Sequence, residues 1–227
     1  MNATRIDQDQ TVKDKIVIWG ASGHALVVAD IIQLSKTYQL IGYLDNINPQ
    51  RQHTIFNGKE ILGGEEQLEI LAAQGINHMI IGFGNCEARL QLAEIARSKG
   101  FQLAIAIHPS AIIAPDVTIG PGSVIAAGAV INPGSHIGEN VIINTSASVD
   151  HGCVIGDGAH ICPGVHLAGN VTVGRGTWVG IGSCVIDHIT IGSSTLIGAG
   201  AVVVDDIPGH VVAYGNPAKV RKNNKKT

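Results

Sequence analysis

Few residues in this 227-residue chain can move a proton or attack a carbon, and His151 is foremost among them. It follows Asp150. At the eighteen-residue spacing described below, its column reads Pro133, His151, Gly169. A glycine next to an imidazole leaves room for a ligand, and neutral His near pH 7 is the usual general base for an amine or hydroxyl. His160 lies eighteen residues before Trp178. The spacing predicts a ring pair that walls a cofactor site or an oligomer contact. His136, His160 and His166 take outward strand positions and His188 a corner, where the default for each is a surface or interface residue. No Gly-x-Ser-x-Gly occurs, and none of Cys86, Cys153, Cys162 and Cys184 has an evident base partner, so no covalent nucleophile is expected. Cysteine spacing matches no zinc site, and the corner column Asn170, His188, Asp206 is a poor one, so no metal is expected.

A second constellation lies near the start. Lys15 to Gly23 reads KIVIWGASG, a short buried-type strand running into the turn Gly20-Ala21-Ser22-Gly23-His24 and then a helix over 24–36. That order aims backbone N–H groups at an anion. Asp45, about twenty residues on at the end of a strand over 40–44, stands where such folds grip a ribose or base. Gly82-Phe83-Gly84-Asn85 adds a glycine turn at the same end of the sheet, with Asn85 as cap of the next helix.

The element that must position the histidines is a repeat. From Ile113 to Pro208 the chain divides into sixteen unbroken hexapeptides. The first residue of each is Ile, Val or Leu, and the fifth is small or β-branched. A fifth residue and the next first residue are two apart on a strand and face the same way, inward. Positions three and four, rich in Gly, Asn, Asp and Pro, make corners. Three sides close a coil of eighteen residues, so the run predicts a parallel β-helix of a little over five coils. Upstream, strands over 15–19, 40–44, 78–82 and 101–107 alternate with helices over 24–36, 65–74 and 85–99, predicting a small parallel sheet with helices on both faces. The resulting division is a polar, frayed start over 1–14, a Rossmann-like domain over 15–108 ending at His108-Pro109, the β-helix over 109–208, and a tail over 209–227 that carries Lys219, Arg221, Lys222, Lys225 and Lys226. Charged residues are 15% and aromatics 4% of the chain, with 29 glycines, as turn-rich solenoids require. The net charge of −3 gives no case for nucleic acid, and no apolar run near eighteen residues or signal peptide is found. A cytoplasmic setting without membrane insertion is expected.

The hexapeptides, with the closing Gly215-Asn216-Pro217-Ala218-Lys219, resemble the left-handed β-helix acyltransferases, which use acetyl-CoA and are mostly trimers. KIVIWGASGHALVVADII, YLDN, GFGNCEAR and NTSASVDHGCVIGDGAHICPGVHLAGNVTVG together resemble the NeuD/PglD-type sugar acyltransferases over roughly residues 15–220. The resemblance implies the handedness of the coil and a homotrimer. It implies His151 as general base with Asp150 beside it. Ser22, Gly23, His24, Asp45, Asn46 and Asn85 would hold the nucleotide of a UDP-sugar. His160, Ile181 and Ala199 would lie along acetyl-CoA, with Gly215, Pro217 and Lys219 near its far end. Members usually carry Asp or Glu directly after the catalytic His, and here that position is Gly152. The function implied is N-acetylation of a UDP-4-amino-sugar by direct transfer. The alternatives are sugar O-acetylation of the sialic-acid type and a non-catalytic trimeric scaffold, for which Gly152 is the hint.

Overall fold

The computed structural model describes residues 13–224. It opens with β1 (Asp14–Trp19), α1 (Gly23–Ser35), β2 (Tyr38–Leu44), β3 (Ile55–Phe56), β4 (Lys59–Gly63), α2 (Leu68–Ala73), β5 (His78–Ile81), α3 (Cys86–Ser98) and β6 (Gln102–Leu103). The strand order is β3-β4-β2-β1-β5-β6, parallel except for the β3–β4 hairpin. β1 lies at the centre and is buried from Ile16 onward, which is why it reads as an uninterrupted apolar run. Most of the expected frayed start, residues 1–12, lies outside the described residues, as do Lys225 and Lys226. Asp14 already belongs to β1. The helix expected over 65–74 begins as a 3₁₀ turn, Glu65–Gln67, before α2.

The strand expected over 101–107 is two strands. Gln102–Leu103 pairs with β5, whereas Ala106–Ile107 pairs with Val124–Ile125 and is already the first strand of the solenoid. The hexapeptide register therefore extends one repeat upstream of Ile113, through His108-Pro109. Proline here sits in a corner of the coil, where its fixed φ is tolerated.

The solenoid is a parallel β-helix of two-residue strands, each made of the sixth residue of one hexapeptide and the first of the next. Partners are eighteen residues apart throughout, as in His136↔Val154 and Thr172↔Thr190. The strands stack into three sheets. The fourth residues of the hexapeptides turn the corners with φ near +60°. Asn140, Asn170 and His188 adopt this left-handed conformation, as glycines do elsewhere. The inward column is aliphatic, from Ile125 and Ile131 to Ile197 and Val203, and forms one core.

Polar residues at the inward fifth position are satisfied by the coil itself. Ser123, Ser135, Thr177, Ser183 and Thr195 donate to the carbonyls of Gly138, Asp150, Gly192, Gly198 and Pro208 at 2.7–3.0 Å. Three of these hydroxyls also accept the amide eighteen residues on. Each hydroxyl thus ties one coil to the next in place of a methyl group.

The segment after Pro208 is ordered into strands, although its basic residues Lys219, Arg221 and Lys222 stay exposed. Val211–Gly215 pairs in parallel with Leu196–Ile197 and turns back as an antiparallel strand, Ala218–Asn223, so a hairpin caps the end of one sheet. Lys219 pairs with Asp205 at 3.0 Å, and the Arg221 guanidinium lies 5.2 Å over the Tyr214 ring. No helix among the described residues is long and apolar enough to cross a membrane.

The α/β domain docks on the solenoid through α1, whose Ala25, Val28 and Ala29 share a core with Val124, Ala126 and Ile142. α2 and α3 cover the opposite face of the sheet. The coil-tying role of the hydroxyls has a direct test. Thr177→Val should destabilise by about 1–3 kcal/mol in urea unfolding, because it orphans the Thr195 amide and the Gly192 carbonyl. The exposed Thr190→Val should change stability by less than about 0.5 kcal/mol.

Candidate active site

Two cavities meet at the N-terminus of α1. The first, of about 480 Å³, is a cleft at the carboxyl end of the sheet. It is lined by the first βα turn (Gly20, Ala21, Ser22), by Asp45 to Asn48 after β2, and by Phe83, Asn85, Gln91 and Leu92. The second, of about 630 Å³, is an open groove between that domain and one solenoid sheet. Gly23, His24 and Gly84 form one side, and Asn144, His160, Trp178, Ile181, Leu196 and Ala199 are among the residues of the other. Ser22 borders the cleft while Gly23 and His24 border the groove, so adjacent residues of one turn face different spaces. Ser22 makes no side-chain cap bond at the start of α1. The first-turn amides are left for an outside acceptor.

In the cleft the side chains are committed to different degrees. Asp45 accepts from the amides of Ile47 and Asn48, from the Asn48 side chain, and from Arg51 at 3.3 Å. It therefore builds its own loop. Arg51 also donates to the Ala21 carbonyl at 2.8 Å, pinning that loop to the glycine turn. Asn46 accepts from the Trp19 indole at 3.1 Å. Asn85 caps α3 through the Ala88 amide at 2.9 Å.

His160 is buried to 4% exposure, although its sequence position is outward. Of the two expected settings, surface or interface, it takes the second, because the 82–85 turn covers this part of the sheet. The expected ring pair with Trp178 is present, with centroids 4.3 Å apart and strand registry as the spacing requires. His24 comes within 6.2 Å of the same imidazole. Asn144 Nδ2 lies 3.0 Å from His160 Nε2, and the Gly84 carbonyl 3.4 Å from Nδ1. Burial and the nearby Arg89 cation lower the pKa of His24 to about 4. The same two causes, with His24 itself adding to them, lower that of His160 to about 3. Both rings are neutral at pH 7. His24 Nε2 is buried with no hydrogen-bond partner among the described residues. Burial also raises the Cys162 thiol, on the groove wall, to about 12, which leaves it inert as a nucleophile.

Arg89 was not singled out by spacing. It is fully buried on α3, and its five N–H groups reach five backbone carbonyls. Nε donates to Asn140 at 2.8 Å, one terminal nitrogen to Phe83 and Gly84 at 3.3 and 2.9 Å, the other to Gly158 and Ala159 at 2.7 and 3.2 Å. The signal was its place on the apolar stripe of α3, with Cys86, Leu90, Ala93 and Ala96. Arg97, about two turns further along, pairs with Glu139 of the solenoid.

His151 and Asp150 lie on another corner of the coil and line neither cavity. The His151 ring rests over Gly169, where a Cβ would stand 2.5 Å from it. Asp150 accepts from the Asn132 side chain at 2.9 Å and from the His151 amide at 2.7 Å, and these bonds hold its carboxyl below the usual range. Gly152 has φ +67°, and the Asn170 side chain occupies the space a Cβ would take. Ile181 and Ala199 line the groove with His160. Gly215, Pro217 and Lys219 sit on the terminal hairpin, outside the groove lining. Among the described residues no cluster of three or more His, Cys, Asp or Glu forms a metal site.

A parallel β-helix preceded by a small α/β domain, with a groove between them, defines a hexapeptide-repeat acyltransferase. Residues 15–96 match the model of the PglD N-terminal domain, and residues 106–133 and 134–169 match the bacterial transferase hexapeptide of six repeats. A histidine variant of perosamine N-acetyltransferase from Caulobacter crescentus, solved with CoA and GDP-perosamine, is 39% identical with a TM-score of 0.88, covering 92% of this chain and 97% of that one. The acetyltransferase domain of PglB from Neisseria gonorrhoeae, solved with acetyl coenzyme A, is 38% identical with a TM-score of 0.86, covering 92% and 100%. WeeI from Acinetobacter baumannii shares the fold at 23% identity and a TM-score of 0.70. The chain belongs to the NeuD/PglD-type sugar acyltransferase family, and its solenoid is of the left-handed kind.

The two neutral histidines set a pH dependence. Their folded pKa values, about 4 and about 3, lie below the ordinary 6.5, so the unfolded chain binds more protons between these limits. Stability contributed by the neutral rings is present above pH 6.5, falls as pH drops below it, and is lost once pH passes the folded values. Urea unfolding from pH 7 to pH 4 should show this loss, and His160→Gln should flatten the curve by close to one proton's worth of slope.

Proposed function

We propose that this protein transfers the acetyl group of acetyl-CoA directly to the amine of a nucleotide-linked amino sugar. The observation that carries the reading is the meeting of two cavities of different character at the α1 N-terminus. The cleft supplies a glycine turn, free helix amides and an aromatic ring at Phe83, which suit a nucleoside diphosphate. The groove supplies Trp178, Ile181 and Leu196 with only a few polar groups, which suits the pantetheine arm of CoA. Support comes from the relatives solved with CoA and GDP-perosamine and with acetyl-CoA. The nucleotide is of the UDP class in this reading, as the resemblance of the sequence implies, and GDP-sugars are the comparison set by the Caulobacter relative.

In the transfer, His151 takes the proton from the acceptor amine as its nitrogen attacks the thioester carbonyl. Collapse of the tetrahedral species breaks the C–S bond, and the imidazolium returns the proton to the departing CoA sulfur. Asp150 supplies negative charge beside the ring. Since His151 lines neither cavity of its own chain, the reading requires a neighbouring copy to present one to the other, which accords with a homotrimer. Gly152 leaves the imidazole without the usual adjacent carboxylate, so Asp150 is the acid that serves it. Ser22, Gly23 and His24 hold the diphosphate where the cleft meets the groove, and Asp45 and Asn46 act by shaping the base pocket.

Thiol release from acetyl-CoA, measured with a panel of UDP- and GDP-linked amino and hydroxyl sugars, tests the proposal. Wild type should release CoA with an amino sugar, and His151→Ala should lower kcat by about 10²–10⁴-fold with little change in KM. Turnover with hydroxyl acceptors alone would make it an O-acetyltransferase. No turnover with any acceptor would make it a scaffold.

A further inference from the structure

The 82–85 turn belongs to both cavities at once. Phe83 and Asn85 face the cleft, while Gly84 faces the groove, where a Cβ would stand 3.4 Å from both the His160 and Trp178 rings. The Gly84 carbonyl is the joint. It accepts from Arg89 at 2.9 Å and lies 3.4 Å from His160 Nδ1. On the other edge of the ring, Asn144 fixes the remaining nitrogen. Asn144 Oδ1 accepts the Thr145 amide at 2.8 Å, so the Nδ2 group is the edge that points at His160 Nε2. A donor there requires a lone pair on Nε2, which places the single ring proton on Nδ1, facing the Gly84 carbonyl. The network therefore admits one tautomer.

We propose that Arg89 is a positioning residue for the acyl-donor groove: through the Gly84 carbonyl it holds His160 in the Nδ1–H form and fixes how far the 82–85 turn stands into the groove. This rests on the groove being the acetyl-CoA site. Arg89 touches no cavity itself, and its other carbonyls, at Asn140, Gly158 and Ala159, belong to the solenoid. It thereby sets the turn against the coil rather than merely stiffening the turn. The charged and titratable groups around His160 are Arg89 and Cys86 from α3, His24 from α1 and Cys162 on the solenoid wall. The fixed cation among them adds to burial in keeping the ring neutral.

Nitrogen-15 NMR of histidine-labelled protein, with the His160 signals assigned by their loss in His160→Gln, reads the tautomer without reference to activity. Wild type should show a protonated Nδ1 and an unprotonated Nε2, unchanged from pH 7 to pH 5. Arg89→Met should mix the tautomers and raise the His160 pKa, with burial still holding it below the ordinary value. It should also raise KM for acetyl-CoA about tenfold, with a smaller effect on kcat. Arg89→Lys, which keeps the charge and three donors, should restore the single tautomer in part. Should Arg89→Met not fold, the wild-type spectrum and Arg89→Lys decide. An Nε2–H tautomer in wild type overturns the proposal, as does a folded Arg89→Met with an unchanged His160 spectrum and KM. Failure of wild type to bind acetyl-CoA would instead sink the functional reading, and the tautomer result would stand apart from it.

Discussion

A guanidinium with no carboxylate partner among the described residues is buried where the two halves of the chain meet, and five carbonyl oxygens accept its five N–H groups. An uncompensated buried cation is costly, and this one is tolerated because every donor is used. The geometry that satisfies it is demanding. Two of its acceptors are in the 82–85 turn, one is at the Asn140 corner, and two are at Gly158 and Ala159 one coil further on. They come within reach together only if α3 lies across the coil in one orientation. Arg97 with Glu139, and Leu90 against Gly158, follow from the same placement. The groove then has fixed walls, because the turn that forms one side is held by the same group that grips the other.

The solenoid supplies the opposite constraint, a rigid spacing. Stacking at eighteen residues puts His160 against Trp178 and His151 over Gly169 without any specific interaction being needed to bring them together. Inward hydroxyls add side-chain bonds from one coil to the next. The price of this regularity is that each residue is confined to one side of the coil. His160 and His151 lie on different sides, so chemistry that uses both calls for more than one copy of the chain.

Much of this was legible in the residues. The period of six gave the coil, its inward column and the His160–Trp178 pair, because each follows from local geometry repeated. The alternating strands and helices gave the sheet with helices on both faces, and Asn85 as a cap, because glycine turns and apolar runs are local signals. What was not legible depends on docking. An arginine in an amphipathic helix reads as solvated, and only its position on the apolar stripe hinted that Arg89 is buried. An outward histidine reads as surface or interface, and the spacing does not say that the α/β domain is what buries His160. The chain after Pro208 looked like a basic tail because its strand pairs with Leu196–Ile197, a partner that hexapeptide counting does not supply. Asp45 carried the right type and spacing for a ribose ligand, yet Arg51 and the amides of its own loop engage it, which a spacing argument cannot foresee.

In the proposed reading one chain brings a nucleotide cleft and an acyl-donor groove together at the start of α1, with the 82–85 turn between them. A crystal structure with CoA and a nucleoside-diphosphate amino sugar bound together tests it most directly. The base is expected against Phe83 in the cleft, the diphosphate at the Ser22–His24 amides, and the pantetheine arm along His160, Trp178 and Ile181. A His151 from an adjacent copy should stand within hydrogen-bond reach of the sugar amine. A nucleotide bound away from the cleft, or a CoA arm lying along a different solenoid face from that of His160, would contradict it.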